Sequence, residues 1–192
     1  HGLLSCITGS MHCRSAIHLA ANLALGASIY ATKSCYDNVM AHVSAHTKEV
    51  GGLLLGSIWR VEKNPPAALL TILVEAFPSI RHRNSSASLE MGTEVWTRIG
   101  QRMSADRLVV GWYHSHPGLG AFFSGTDRRT QSAFFSFPYS LGWVIDPFRS
   151  EQKVFVGRGS DEYHAPILIL DDGLETAEPD CFGGGFLTSM SS

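Results

Sequence analysis

The sequence has no CxxC pair, no apolar run approaching the ~20 residues that span a bilayer, and no dense basic stripe. Each absence removes a class of protein. Cys6, Cys13, Cys35 and Cys181 are scattered, so no tight disulfide framework is spelled out, and free thiols in a reducing, cytoplasmic compartment are the expectation. Residues 16–27 (AIHLAANLALGA) look superficially like the apolar part of a signal peptide, but His18 and Asn22 interrupt them. They read as an element packed on the domain, and no membrane partner is expected. Charged residues are only 17% of the chain and the net charge is −2 with histidine neutral, so the electrostatic footprint of a nucleic-acid binder is missing.

What is present is an ordinary globular composition, 44% hydrophobic over 192 residues, enough for one domain with a real core. There is no internal repeat and no second domain. Residues 1–26 are expected to form an extension packed on the domain, 27–174 the domain itself, and 175–192 a tail. That tail carries Gly183-Gly184-Gly185 and reads as a linker or edge segment.

Within these limits the spacing predicts a short helix over 15–25 and a strand over 27–31. A helix over 33–46 would be capped by Thr32 or Ser34, with Val39, Met40 and Val43 inward. The glycine-bounded run 49–60 (EVGGLLLGSIWR) fits a strand buried on both faces, and 68–77 a second strand stopped by Pro78. A serine-rich loop over 81–88 leads to a helix over 89–103 with Trp96, Ile99 and Met103 on one side. Then come a strand at 108–114, a helix from Ser124 to about Phe135, and strands at 141–145 and 153–157 joined by a turn at 148–152. A last strand is expected at 167–170. Strands alternating with helices argue for an α/β or α+β sandwich around one sheet.

The chemistry concentrates at Gly111-Trp112-Tyr113-His114-Ser115-His116-Pro117-Gly118. On a strand, residues i and i+2 share a face, so His114 and His116 can aim both imidazoles at one point. Ser124 follows after seven intervening residues, and Asp127 lies in the first turn of the helix that Ser124 would cap. Two nitrogens and one carboxylate oxygen leave one position of a tetrahedral zinc open, as in catalytic sites. Hydrolysis also needs a general base and a donor for the developing oxyanion. Ser124 is placed to be that donor. Glu49, at the head of a buried strand beside Gly51 and Gly52, is the candidate base; Glu75 is its rival, and spacing does not choose between them.

Plainer readings apply to single residues. Asp127 alone could be a carboxylate favoured by the helix dipole, Ser124 alone an N-cap, and Glu49 alone a loop residue. His42 and His46 share a helix face, but Val43 stands where an HExxH motif needs glutamate, so a solvated face is expected. Cys6, His12 and Cys13 lack a fourth ligand for a structural zinc, and Arg81-His82-Arg83 reads as a solvated loop. Trp112 and Tyr113 read as core or pocket wall; Phe122 and Phe123 lie between the ligands, so one of them is expected to line a substrate channel.

Taken together, Glu49 with GGLLLG, then GWYHSHPG, Ser124 and Asp127 resemble the JAMM metalloprotease motif of MPN domains, and Trp143-Val144-Ile145-Asp146-Pro147 resembles the strand after the catalytic helix in that family. The resemblance covers about residues 27–157. It implies an α/β, cytidine-deaminase-like MPN sandwich with a central mixed sheet flanked by helices. It also implies one Zn2+ held by His114, His116 and Asp127, with Glu49 as general base and Ser124 as oxyanion support. The implied substrate is the C-terminal tail of ubiquitin or a ubiquitin-like protein, cut after its last glycine. The compact form is similar to stand-alone prokaryotic members. The resemblance leaves two alternatives, a processing protease for a ubiquitin-like or sulphur-carrier precursor and a non-catalytic MPN scaffold. The DNA-repair-associated branch, whose loop reads His-Asn-His-Pro-Ser-Gly, is disfavoured by His114-Ser115-His116-Pro117-Gly118.

Overall fold

The computed structural model describes residues 28–61, 68–79, 92–170 and 187–189. The expected helix over 15–25, the loop over 81–88, and Cys6, His12, Cys13 and Cys181 lie outside these residues. In chain order the elements are β1 (Ile29–Thr32), α1 (Lys33–Ser44), β2 (Gly51–Val61), β3 (Ala68–Pro78), α2 (Thr93–Gly100), β4 (Leu108–Ser115), α3 (Gly125–Phe134), β5 (Leu141–Asp146), β6 (Glu151–Val156), β7 (Asp161–Tyr163), β8 (Leu168–Leu170) and β9 (Leu187–Ser189).

One sheet runs in the order β7-β6-β5-β4-β2-β3-β1-β8, and β9 pairs with β2 off that path. It is mixed: β1 is parallel to β3 and β8, and β4 is parallel to β5, while β2 is antiparallel to β3 and β4. The apolar run of β2 is buried on both faces because both faces are covered. Leu54 packs with Val39 and Val43 of α1 and with Tyr113 and Trp143. Leu53 and Leu55 point the other way, to Val95 and Ile99 of α2 and to Trp112, Phe123, Phe135 and Phe155. The result is the expected sandwich, with α1 on one face and α2 on the other. The parity that sends Tyr113 toward α1 keeps Trp112 and His114 together on the opposite face.

α1 begins where its cap is best satisfied. Thr32 Oγ1 accepts the Cys35 N–H at 3.2 Å and donates to the Val74 carbonyl at 3.2 Å. The helix ends at Ser44, two residues before the expected end, and Ala45 caps it. Val39 and Val43 are buried as the spacing predicts, Met40 is half-buried, and Cys35, also buried, joins them.

The helix expected over 89–103 is shorter. Gly92 is extended and α2 spans Thr93–Gly100, followed by a turn closed by the Ser104–Arg107 bridge. Its inward stripe is Val95 and Ile99, an i,i+4 pair; Trp96 and Met103 stay 37% and 45% exposed. Trp96 is one position round from Val95 and reaches only the rim, where it stacks on Phe135. The turn after β5 is also tighter than expected. The Asp146 carboxylate accepts the Phe148 and Arg149 N–H groups, so β6 starts at Glu151. The charged edge strand β7 carries no apolar alternation that a sequence reading could find. In the segment expected to be a linker or edge, β9 pairs with Trp59–Val61. Among the described residues, no helix is long and apolar enough to cross a membrane.

Candidate metal centre

β4 is clamped on both sides at its C-terminal end. Gly51 of β2 pairs with His114, and β5 runs parallel on the other side with Ser115 opposite Ile145. His116 continues the line, its N–H donating to the Ile145 carbonyl at 2.8 Å. The His114 ring lies flat on Trp112, with centroids 4.6 Å apart and 7° between planes. Trp112 is itself held by Gln131, whose Oε1 accepts the indole N–H at 2.8 Å. The Gln131 amide then donates to the carbonyls of Phe135 and Ser140 at 2.9 and 3.1 Å. Asp127 and Gln131 are four residues apart, so one buried face of α3 carries both the carboxylate and the support for the histidine strand. That spacing was the available sequence signal for Gln131, and the motif reading passed over it.

Ser124 caps α3 through a reciprocal pair of bonds. Its Oγ accepts the Asp127 N–H at 3.2 Å, and Asp127 Oδ2 accepts the Ser124 N–H at 2.7 Å. The capping box therefore fixes the carboxylate as well as the helix start. Asp127 Oδ1 lies 3.3 Å from His114 Nε2 and Oδ2 lies 3.6 Å from His116 Nε2. The two Nε2 atoms are 3.1 Å apart. One ligand atom from each of the three residues falls within 4.8 Å of the others, and all three side chains are buried.

The electrostatics favour the donor forms. Burial raises the Asp127 pKa, but the His114 contact and the Ser124 hydrogen bonds outweigh it and hold the carboxyl well below its ordinary range. His116 is lowered, chiefly by burial and then by His114, against the pull of Asp127 and Glu49. A charged carboxylate beside neutral imidazole nitrogen is a nitrogen-and-oxygen donor set that suits zinc. Among the described residues, His114 Nδ1 has no hydrogen-bond partner, and the Gly120 backbone bears on the His116 ring. Ring contacts also orient the imidazoles, Trp112 against His114 and Phe122 against His116 at 4.8 Å.

Glu49 stands two residues before Gly51. The Ser115 N–H donates to the Val50 carbonyl at 2.8 Å, so the chain just before Gly51 already lies along the end of β4. It is half-buried, and its charge bears on the His116 imidazole. Glu75 sits elsewhere, opposite Leu55 and paired with Arg102 at 3.2 Å. Four residues along β2 from Gly51, at about 3.3 Å per residue, put it well over 10 Å down the sheet. Phe123 is buried, stacked on Phe155 at 4.2 Å, while Phe122 is 45% exposed beside His116. His42 and His46 do not form the expected solvated face. Both are half-buried; His42 Nδ1 and the Tyr113 hydroxyl are 2.9 Å apart, and His46 Nδ1 bonds the His42 carbonyl at 2.8 Å. The reason is that α1 packs on the face of β4 that carries Tyr113.

The family described as prokaryotic homologs of the JAB domain matches residues 32–153, from the cap of α1 into β6. COP9 signalosome complex subunit 5 of Debaryomyces hansenii is 42% identical over 73 residues, 34% of this chain and 15% of that protein. Ubiquitin carboxyl-terminal hydrolase RPN11 of Saccharomyces cerevisiae is 46% identical over 46 residues, 23% of this chain and 15% of that protein. The chain thus spans only a small part of the length of these relatives. A solution structure of a protein from Desulfitobacterium hafniense shares the fold, with a TM-score of 0.53 at 21% identity over 74% of this chain and 93% of that one. The chain belongs to the JAB/MPN family, among the prokaryotic homologs of the JAB domain.

Proposed function

We propose that this chain is a zinc-dependent peptidase or isopeptidase that cuts after the C-terminal glycine of ubiquitin or a ubiquitin-like protein. The observation that carries the reading is the convergence of His114, His116 and Asp127, with the charge of Glu49 bearing on His116. The name of RPN11, a ubiquitin carboxyl-terminal hydrolase, supports the substrate class.

His114, His116 and Asp127 are the residues that would hold the metal. Bound there, zinc would supply Lewis acidity, the property that makes a water nucleophilic at neutral pH. Glu49 takes the proton of the attacking water and passes it to the leaving amine. Ser124 accepts the Asp127 N–H with a lone pair, which leaves its own O–H to donate to the oxygen that becomes negative. Phe122, with the exposed Leu119 and Phe148, supplies an apolar approach against which an extended tail can lie.

Ser124→Ala is accordingly expected to lower unfolding free energy by about 1 kcal/mol through loss of the cap, and kcat by about 10²–10³ through loss of the oxyanion donor. Denaturant titration and steady-state kinetics read the two separately; a kcat within threefold of wild type removes Ser124 from the mechanism.

The reading as a whole is tested with a panel of ubiquitin and ubiquitin-like proteins, each supplied as a linear C-terminal extension and as a lysine-linked conjugate, with and without a zinc chelator. Cleavage after the terminal glycine, lost with chelator and restored by zinc, is the expected result. Cutting of linear extensions alone would redirect the reading to precursor processing. Cleavage indifferent to chelator contradicts it.

A further inference from the structure

We propose that Asp146 is a positioning residue of this centre, whose buried carboxylate clamps the loop 117–121 and thereby sets His116. The inference rests on the reading of His116 as a metal ligand. Asp146 closes β5 and is fully buried. The residue before it, Ile145, takes the His116 N–H through its carbonyl at 2.8 Å. Asp146 then holds the chain just beyond His116: its Oδ1 accepts the Gly118 N–H at 2.9 Å and its Oδ2 the Gly120 N–H at 2.7 Å. It also accepts from Phe148 at 3.0 Å and Arg149 at 3.2 Å. Oδ1 thus takes three of the four backbone donors and Oδ2 the Gly120 N–H alone, and bonds to a charged acceptor are the stronger kind.

The loop is shaped for this clamp. Gly118 and Gly120 have φ of +76° and +90°, a region that side chains other than glycine rarely adopt, and this turns both N–H groups inward. The hairpin that follows adds a weaker tie, with Glu151 Oε2 accepting the Ala121 N–H at 3.2 Å. The loop is also the covalent link between His116 and Ser124, the cap of the helix that carries Asp127. Holding it from below therefore fixes one histidine against the carboxylate, and fixes Phe122, which lies against the His116 ring. A buried aspartate that only locks the β5–β6 turn would need Phe148 and Arg149 alone; the bonds to Gly118 and Gly120 reach across to the histidine loop.

The test is Asp146→Asn, which keeps the shape but turns an N–H₂ group toward some of those donors. Zinc affinity is measured by competition with a chromophoric chelator, and amide exchange at Gly118 and Gly120 by NMR in metal-free protein. The account predicts a folded variant that binds zinc about 10–100-fold more weakly, with both amides exchanging at least about tenfold faster and those of α1 unchanged. Glu151→Gln is expected to shift zinc affinity by less than about threefold. Unchanged zinc affinity in folded Asp146→Asn overturns the positioning role, even if exchange is faster. Should wild type bind no zinc, the proposed function fails, and the clamp is judged by exchange alone: protection in wild type that Asp146→Asn loses keeps it, and equal exchange in the two overturns it. Should Asp146→Asn not fold, the wild-type amides decide: protection supports the clamp, and exchange as fast as in open loops overturns it.

Discussion

Glu49→Gln is expected to keep its zinc and its fold and to lose cleavage by about 10²–10⁴-fold in kcat, the range that a positioned general base contributes. The substitution keeps the shape of the side chain and removes its basicity. Glu49 stands two residues before Gly51, which pairs with His114; its charge bears on His116, and it is not one of the three residues whose donor atoms converge. Metal content should therefore equal that of wild type while turnover falls, with KM changed far less than kcat. The assay is steady-state cleavage of whichever conjugate the panel identifies, alongside metal analysis of the same samples. Wild-type turnover by Glu49→Gln removes the base from the mechanism, and loss of zinc would make Glu49 part of the metal shell instead.

His116→Ala should do the opposite and lower zinc affinity by more than about 100-fold, beyond the range seen when only supporting residues are changed. The variant leaves His114 Nε2 and Asp127 Oδ1, 3.3 Å apart, as the remaining donors. The fold should survive, because His116 sits at the mouth of the sheet and not within either apolar cluster, and because the capping box of α3 does not involve it. Circular dichroism and a chelator competition read these two expectations independently. A folded variant with undiminished zinc affinity would count decisively against the site.

Much of the frame was legible in the sequence because its signals are local. The run from Gly51 to Ile58 has no polar face, so it had to be a strand covered on both sides, and it is. The His-x-His pair and the Ser-x-x-Asp cap are also local: strand parity aims the first, and the capping box turns Asp127 back toward it. What was not legible depends on register between distant segments. Nothing near Glu49 says that β2 lies beside β4 with Gly51 against His114, yet that pairing is what separates Glu49 from Glu75. The same holds for Asp146, whose contacts to Gly118 and Gly120 exist only once β5 lies parallel to β4. On α2 the inward Ile99 is legible, but Val95 is not, because Trp96 and Met103 carry the bulk while Val95 has the direction. His42 was misread because its partner, Tyr113, comes from the sheet and not from the helix.

The central claim is that two histidines and one aspartate hold a zinc that keeps an open position. X-ray absorption spectroscopy at the zinc edge of the loaded protein tests it most directly, because it reads the donor atoms themselves. The account predicts one zinc per chain in a four-coordinate shell of nitrogen and oxygen, with scattering from two imidazoles that falls to one in His116→Ala. A sulfur donor from any of the four cysteines, or an imidazole signal unchanged in that variant, would contradict it.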